Sequence, residues 1–184
     1  MPTNPIHQMP IPSAYWVRPG LLMAGGYPTM LKANLARTLI DRFLDAGITQ
    51  FFDLTEEGEI PPTRAYPEVC ALAAAERGLR GQHRRFAIQD MDVPTPGEMT
   101  AILDALDAAL AEGQRVYVHC FAGAGRTGTV IGCHLVRHGL SGPEALLRIE
   151  ELREAIPAAY WYPSPIRQPQ VAMVLGWREQ TRNA

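Results

Sequence analysis

The sequence predicts an α/β fold with a mainly parallel central sheet of four to five strands and helices on both faces. The first reason is that short apolar runs alternate along the chain with longer segments whose apolar residues repeat at helical spacing. The second is that glycine stands at or near the end of several of these helical segments. The third is the length of 184 residues, which suits one domain with a substantial core.

The first part of the chain begins with an irregular segment and then alternates strand and helix. Residues 1–20 contain five prolines and no periodicity, so we expect an extended arm there, followed by a single domain over 21–184. The apolar runs at 21–24 (LLMA) and 47–54 (GITQFFDL) predict buried strands. Between them, 29–47 predicts a helix because apolar residues recur at every fourth position.

The middle of the chain contains the clearest signals of both kinds. Residues 63–78 predict a helix that a proline interrupts near its start. Residues 83–88 (HRRFAI) and 115–120 (RVYVHC) predict buried strands, because they are short, apolar or aromatic runs. Residues 95–113 predict the longest helix, since a threonine stands at the candidate N-cap, apolar residues share one face and a glycine follows the last of them.

The last part of the chain predicts three helices. They cover residues 126–138, which a glycine follows, then 142–155 and finally 167–182. The second of these opens with a serine, a glycine and a proline, and proline suits the first turn of a helix.

The composition excludes several classes of protein. The net charge of −2 and the pI of about 6.2 give no electrostatic footprint for binding nucleic acid or an anionic membrane. No segment reaches the roughly 18 apolar residues of a membrane span. The three cysteines form no CxxC pair, so we expect neither a disulfide framework nor a structural zinc site. We therefore expect a reducing, cytoplasmic location. The sequence carries no signal for an oligomeric state.

The stretch VYVHCFAGAGRTGTV, residues 116–130, places a cysteine at the end of a predicted strand and an arginine at the start of a predicted helix. The five residues between Cys120 and Arg126 are mostly small, so the main chain can curl and direct successive N–H groups into one concavity. The helix N-terminus adds its dipole there and favours a thiolate. Arg126 offers two parallel donors to two phosphate oxygens. The stretch predicts a phosphate-binding loop with a nucleophile at its base.

The segment HCFAGAGRTG resembles the His-Cys-x5-Arg-Thr-Gly signature of the cysteine-dependent protein tyrosine and dual-specificity phosphatases. The resemblance implies that Cys120 is the nucleophile and Arg126 the phosphate-binding arginine. It implies that Thr127 assists departure of the thiolate and that His119 orients the loop. The amides that it places around the phosphate are those of Phe121, Ala122, Gly123, Ala124 and Gly125.

A general acid is the second requirement, because the departing ester oxygen needs a proton. The segment FAIQDMDVPTPGEM, residues 86–99, lies between a predicted strand and the longest predicted helix and contains two aspartates. In dual-specificity phosphatases the acid commonly follows an apolar residue and any residue, with a proline a few positions later, and IQDMDVP fits this pattern with Asp90. Asp92, two residues later, is the alternative general acid.

Two other segments leave alternatives open. The acids of DLTEEGE, residues 53–59, either contact the site or belong to a solvated turn. The aromatic residues of AAYWYPSP, residues 158–165, either form a rim for substrate or pack against the fold.

The resemblance implies a phosphomonoester hydrolase that forms a phosphocysteine and uses neither metal nor cofactor. Classical tyrosine-specific members are larger and carry a Lys-Asn-Arg-Tyr run, which this sequence lacks, so we expect the dual-specificity type, acting on phosphorylated tyrosine, serine or threonine of a protein. A small, non-protein phosphomonoester is the alternative substrate. A pseudophosphatase that binds phosphoproteins without turnover is the alternative function.

Overall fold

The structure, a computed structural model, describes residues 9–29 and 35–179. Five strands and six α-helices lie in this part of the chain. The strands are β1 (Tyr15–Arg18), β2 (Leu22–Gly25), β3 (Gln50–Asp53), β4 (Gln82–Arg85) and β5 (Val116–His119). The helices are α1 (Ala36–Asp45), α2 (Pro67–Glu76), α3 (Pro96–Ala111), α4 (Gly125–Arg137), α5 (Gly142–Arg153) and α6 (Gln168–Gly176).

The strands form one sheet in the order β1-β2-β5-β3-β4. Four strands run parallel, while the edge strand β1 pairs antiparallel with β2, so the predicted mainly parallel sheet is confirmed. The register aligns His119 at the end of β5 with Gly25 at the end of β2 and with Asp53 at the end of β3. The segments that leave these strands therefore emerge side by side, at the edge where ligands bind in parallel sheets.

Each face of the sheet has its own core, because successive strand residues point to opposite faces. Phe51 and Tyr117 lie in the cluster formed with α1 and α2. Phe52 and Val118 lie in the cluster formed with α3, α4, α5 and α6. The prediction of helices on both faces is confirmed. The prediction of a buried strand over residues 83–88 is wrong, because Gln82–Arg85 form the edge strand β4, which is polar and largely exposed.

Local sequence signals set ends of the helices α3 and α5. The Glu98 N–H donates to Thr95 Oγ1 at 3.3 Å, and the Thr95 N–H donates to the Glu98 carboxylate at 2.7 Å, which forms a capping box before α3. Ser141 and Glu144 form the same arrangement before α5. The φ of 74° at Gly113 turns the chain away from the end of α3.

The prediction of an irregular arm over residues 1–20 is wrong for Tyr15–Arg18, which form β1. This strand is defined by its pairing with β2 rather than by a local pattern, and the turn between them passes through Gly20 with a φ of 73°. Residues 9–14 contain neither helix nor strand, and residues 1–8 lie outside the described part of the chain.

Helix bounds differ most from their predictions in three places. Pro67 begins α2 instead of interrupting it, because a proline at the first turn needs no backbone N–H partner. The first helix begins at Ala36 rather than at residue 29, with residues 30–34 outside the described part. The last ends at Gly176 rather than at 182, with residues 180–182 outside the described part. None of the described helices combines the length and the apolar character that a membrane span requires.

Candidate active site

The loop between β5 and α4 is folded tightly against the end of β2. Gly123 has a φ of 76°, a conformation that residues with a Cβ rarely adopt. A Cβ at Gly123 would also lie 2.2 Å from the carbonyl carbon of Gly25. The Tyr27 N–H donates to the Phe121 carbonyl at 2.9 Å. The loop is thereby fixed to the segment that leaves β2, and its sharpest turn requires glycine for two separate reasons.

Two side chains hold the carbonyl groups of this loop from other parts of the chain. The buried Arg153 of α5 donates from Nη1 to the Gly123 carbonyl at 2.9 Å and from Nη2 to the Tyr162 carbonyl at 3.0 Å. Ser164 Oγ donates to the Ala124 carbonyl at 2.8 Å. The segment over 158–165 therefore supports the loop through its backbone and Ser164. The Trp161 and Tyr162 side chains are exposed.

Cys120 lies in a cavity of about 80 Å³ that three segments of the chain enclose. The thiol group is almost fully buried, since Cys120 is 3% exposed, and it accepts a hydrogen bond from the Gly123 N–H at 3.3 Å. The residues that line the cavity are Asp90, Met91, Cys120, Phe121, Ala122, Gly125, Arg126, Ile166 and Gln170. The cavity thus brings together the predicted nucleophile, the predicted arginine and the first of the two candidate acids.

The other two cysteines lie in the core. Burial raises the pKa of the Cys70 thiol to about 11 and that of the Cys133 thiol to about 12. Both groups therefore stay protonated at neutral pH, and neither lines the cavity.

Arg126 is 2% exposed, and groups from two segments hold its guanidinium. Glu59 accepts from Nη1 at 2.7 Å and from Nη2 at 2.6 Å. Nη1 also donates to the Ile88 carbonyl at 3.0 Å, and Asp90 Oδ1 lies 3.0 Å from Nη2. Burial lowers the pKa of Arg126, but the bonds to Glu59 raise it, and the net shift is upward. The guanidinium is charged and fixed in orientation.

The two candidate acids occupy different environments. The Asp90 side chain is 59% exposed, lines the cavity and faces Arg126. The Asp92 carboxylate accepts from the Val93 N–H at 2.8 Å, and its backbone carbonyl accepts from Gln170 Nε2 at 3.1 Å. Met91, between them, has a φ of 63°, which is uncommon for a residue other than glycine. The structure therefore places Asp90 in the cavity and the Asp92 carboxylate against its own backbone.

His119 is fully buried behind Cys120. Its Nδ1 lies 3.3 Å from the Cys120 carbonyl, which can only accept, so Nδ1 carries the proton. Its Nε2 then accepts from the Tyr66 hydroxyl at 2.6 Å. Burial lowers the pKa of His119 to about 4, so the ring is neutral at neutral pH. A neutral ring with both nitrogens bonded fits the predicted orienting role.

Asp53, at the end of β3, is the buried acid beside His119. Its carboxylate accepts from the Thr55 N–H at 2.9 Å and the Thr55 hydroxyl at 2.6 Å. His83 Nε2 and Arg85 Nη2 lie 2.9 Å and 3.3 Å from the same group. Burial raises the pKa of Asp53, but His119, His83 and Thr55 together lower it more, to well below its usual range. Asp53 therefore ties β3, β4 and the strand that carries Cys120 to one buried charge.

Thr127 is fully buried at the start of α4, and its Oγ1 donates to the Gly25 carbonyl at 3.4 Å. This contact is at the long end of the range for a hydrogen bond. The hydroxyl is therefore held near the loop between β5 and α4 by a weak contact that a stronger partner can replace.

Two residues that shape the site, Arg153 and Gln170, were not predicted from the sequence, and contact of Glu59 with the site was one of two alternatives. Glu59 lies in a segment that the sequence left open, and it contacts Arg126 across 67 positions of the chain. Arg153 reaches Gly123 across 30 positions, and Gln170 reaches Asp92 across 78. No local pattern reveals such contacts. For Glu59 the signal was the acidic run at residues 53–59, whose acids the sequence places either at the site or in a solvated turn.

Two curated proteins share part of this sequence. The tyrosine-protein phosphatase CDC14 of Candida albicans is 30% identical over 84 residues, which cover 44% of this chain and 16% of CDC14. The uncharacterized protein MJECL20 of Methanocaldococcus jannaschii is 36% identical over 67 residues, which cover 36% of this chain and 42% of that protein. The matches thus span less than half of the length of either relative.

Solved structures share the fold over most of the chain. The crystal structure of PTPMT1 in complex with PI(5)P has 25% sequence identity and a TM-score of 0.65, and the match covers 89% of this chain and 92% of that one. Residues 12–163 match the family model PTP-SAK, described as the Swiss Army Knife protein, DSP-PTPase phosphatase domain. With the cysteine, the arginine and an aspartate in one cavity at the end of the parallel strands, the chain belongs to this family of phosphatase domains.

Proposed function

We propose that the protein hydrolyses phosphate monoesters through a phosphocysteine on Cys120, without a metal ion or cofactor. The observation that carries the proposal is that Cys120, Arg126 and Asp90 line one cavity although Asp90 lies about 30 positions before the other two in the sequence. A nucleophile, an oxyanion-binding cation and an acid are the groups that this two-step reaction needs.

In the first step the Cys120 thiolate attacks phosphorus. The sulfur–phosphorus bond forms while the bond to the ester oxygen breaks, and Asp90 donates its proton to the departing oxygen. The loop amides and Arg126 stabilise the charge on the three equatorial oxygens. The amides assigned to this role are those of Phe121, Ala122, Gly123, Ala124 and Gly125.

In the second step water attacks the phosphocysteine. Asp90, now a carboxylate, takes a proton from the water, and Cys120 leaves as a thiolate. The Thr127 hydroxyl assists this departure by turning from the Gly25 carbonyl, 3.4 Å away, towards the sulfur. His119 keeps its place throughout, because both ring nitrogens are bonded.

The contacts of Arg126 support a particular mode of phosphate binding. Glu59 bonds the end of the guanidinium that carries Nη1 and Nη2, which leaves the edge with Nε and Nη2 to face two phosphate oxygens. Asp90 lies 3.0 Å from that same Nη2. An arriving phosphate therefore competes with Asp90 for Nη2 and releases the carboxyl group to reach the leaving oxygen.

We assign phosphorylated tyrosine, serine and threonine in proteins as the substrate class. The similarity to CDC14, a tyrosine-protein phosphatase, supports a protein substrate. A non-protein ester is the second candidate, because the similar structure of PTPMT1 contains PI(5)P. Initial rates on a phosphotyrosine peptide, a phosphothreonine peptide and PI(5)P distinguish these candidates through their kcat/KM values.

The deciding experiment is hydrolysis of p-nitrophenyl phosphate in the presence of EDTA. The wild-type protein should turn over, and Cys120→Ser should lose all measurable activity. Asp90→Asn should lower kcat by about 10²-fold or more, as expected for a general acid, whereas Asp92→Asn is the matched control and should stay within about threefold of wild type. The effect of Asp90→Asn will be smaller on this activated phenol than on an alkyl phosphate.

Two outcomes would overturn the proposal. If the wild-type protein binds phosphate or a phosphopeptide without turnover, the pseudophosphatase alternative is correct. If Asp92→Asn loses the activity and Asp90→Asn keeps it, Asp92 is the acid and the role given to the Asp90–Arg126 contact is wrong.

A further inference from the structure

A second cluster of polar side chains lies at the far end of α4 from the catalytic loop. His134 and His138 are four positions apart and lie on one face of α4 at its C-terminal end, where His138 is the C-cap. Asp107 of α3 lies opposite them. One ligand atom of each residue lies within 4.8 Å of those of the other two. His134 comes eight positions after Arg126, about 12 Å along the helix, so the cluster is separate from the catalytic cavity.

The spacing of the donor atoms is close to that of a metal site. Asp107 Oδ1 lies 2.9 Å from His138 Nε2 and 3.5 Å from His134 Nδ1. Nitrogen and oxygen ligands bind zinc at about 2.0–2.1 Å in a tetrahedron, which separates the ligand atoms by about 3.3 Å. An ion between the three atoms requires only small shifts of the side chains.

A buried nitrogen of the His134 ring is a second observation, besides the spacing of the donor atoms, that points to a bound ion. His134 is 7% exposed, and its Nδ1 is a buried nitrogen without a hydrogen-bond partner among residues 9–29 and 35–179. Buried polar atoms are nearly always bonded, so an orphan nitrogen that points towards a carboxylate and a second imidazole needs an explanation. A bound cation satisfies all three groups at once.

The surroundings orient the carboxylate for such a role. Arg137 Nη1 donates to Asp107 Oδ2 at 3.0 Å, which leaves Oδ1 directed towards the two histidines. Arg137 also pairs with Asp104 at 3.0 Å and with Glu179, so its own charge is balanced. Hydrogen bonds of this kind to a ligand's second oxygen are common around metal sites. His138 is exposed, which gives an ion a route from solvent and room for a water ligand.

We propose that Asp107, His134 and His138 bind one divalent transition-metal ion of the zinc class, with water as the fourth ligand. Two imidazoles and a carboxylate are a donor set that zinc accepts. The missing CxxC pair excludes only cysteine-based sites, and no cysteine takes part here. The ion joins the second half of α3 to the end of α4 and acts on stability, away from the phosphate-binding loop.

The test is metal titration of the full chain in a Cys120→Ser background, so that the catalytic thiol cannot bind the ion. Calorimetry with Zn²⁺ and visible absorption with Co²⁺ should give one ion per chain, with the bands of tetrahedral cobalt. Asp107→Asn and His138→Ala should each weaken binding at least tenfold. Asp104→Asn is the matched control, because Asp104 also pairs with Arg137, and it should change the affinity less than twofold.

A second readout is thermal unfolding, since an ion that binds only the folded chain raises Tm. Zn²⁺ should raise the Tm of the parent protein and of Asp104→Asn but not that of Asp107→Asn or His138→Ala, after circular dichroism has shown that both are folded. The proposal is wrong if no ion binds, or if the ligand variants bind as tightly as the control. Phosphatase activity in EDTA does not bear on the result.

Discussion

At the scale of the residue, Gly123 is the position at which the loop between β5 and α4 requires glycine. Gly123→Ala should lower the free energy of unfolding by at least the 1–2 kcal/mol that a Cβ costs in the left-handed region, because the added carbon also meets the Gly25 backbone at 2.2 Å. It should also abolish activity. Urea unfolding and p-nitrophenyl phosphate hydrolysis measure the two effects.

Gly97→Ala is the control for this substitution. Gly97 lies in the first turn of α3 with open space around its Cα, so alanine should raise stability by about 0.5–1 kcal/mol. If Gly123→Ala behaves like Gly97→Ala, the loop conformation described above is incorrect.

Glu59 is the residue that fixes the direction of the Arg126 guanidinium. Glu59→Gln removes the negative charge and replaces one acceptor by a donor, so Arg126 loses a bidentate partner. We expect kcat/KM to fall about tenfold or more, which corresponds to about 1.4 kcal/mol of transition-state stabilisation. Glu57→Gln, in the same turn and exposed, should leave kcat/KM unchanged. Equal kinetics of the two variants would show that Glu59 does not position Arg126.

The residues of the site differ in whether a local sequence pattern or a long-range contact places them there. Cys120, Arg126 and the loop between them could be predicted, because the loop is one continuous segment whose small residues and flanking elements point to the same chemistry. Arg153 and Gln170 could not be predicted, and Glu59 could be given only as an alternative, because each acts through a contact that only the folded chain creates.

At the scale of the element, the helices and strands that could be predicted best are those with the longest sequence pattern of their own. α3 could be predicted nearly to its ends, since its capping box and apolar face are both written in consecutive residues. β1 could not, since four residues after a proline-rich run become a strand only by pairing with β2. Pro67 was predicted to interrupt a helix, but it begins α2. Proline breaks the interior of a helix but suits its first turn.

α5 contributes to the site through Arg153, which joins the Gly123 carbonyl to the Tyr162 carbonyl. Arg153→Met keeps most of the side-chain volume but leaves both carbonyls without this donor. We expect the free energy of unfolding to fall by about 2–3 kcal/mol, because hydrogen bonds to charged groups are worth about 1.5–3 kcal/mol each and some of this is regained by not burying a charge. Chemical denaturation measures the loss.

Arg148→Met, one turn earlier on α5, is the matched control. Arg148 is half exposed and pairs only with Glu151 in the described structure, so its loss should change stability by less than about 0.5 kcal/mol. A similar loss for both variants would mean that Arg153 does not support the loop.

At the scale of the whole molecule, buried His119 couples stability to pH. Burial lowers its pKa from 6.5 to about 4 in the folded protein, so between these values the unfolded chain takes up a proton that the folded chain does not. The stabilising effect is complete above pH 6.5 and is lost as the pH falls towards 4, at up to about 1.4 kcal/mol per pH unit.

His119→Gln should therefore flatten the fall in unfolding free energy between pH 6.5 and 4.5, whatever its effect on stability at neutral pH. Asp53 has a lowered pKa and loses its contribution only below its ordinary value of 3.8, outside this window. Urea unfolding at several pH values gives the comparison. Parallel pH curves for the variant and the wild type would show that His119 is not held neutral by the fold.

The polar edge strand β4 also affects how copies of the chain meet. A strand at the edge of a sheet has one side without a neighbouring strand. The backbone donors and acceptors on that side can pair with another strand. Here that edge consists of Gln82, His83, Arg84 and Arg85, while β1 at the opposite edge shifts register against β2 between Trp16 and Arg18. Positive charge at one edge and an irregular strand at the other both disfavour edge-to-edge pairing of sheets from different copies of the chain, and thereby the growth of fibrous aggregates.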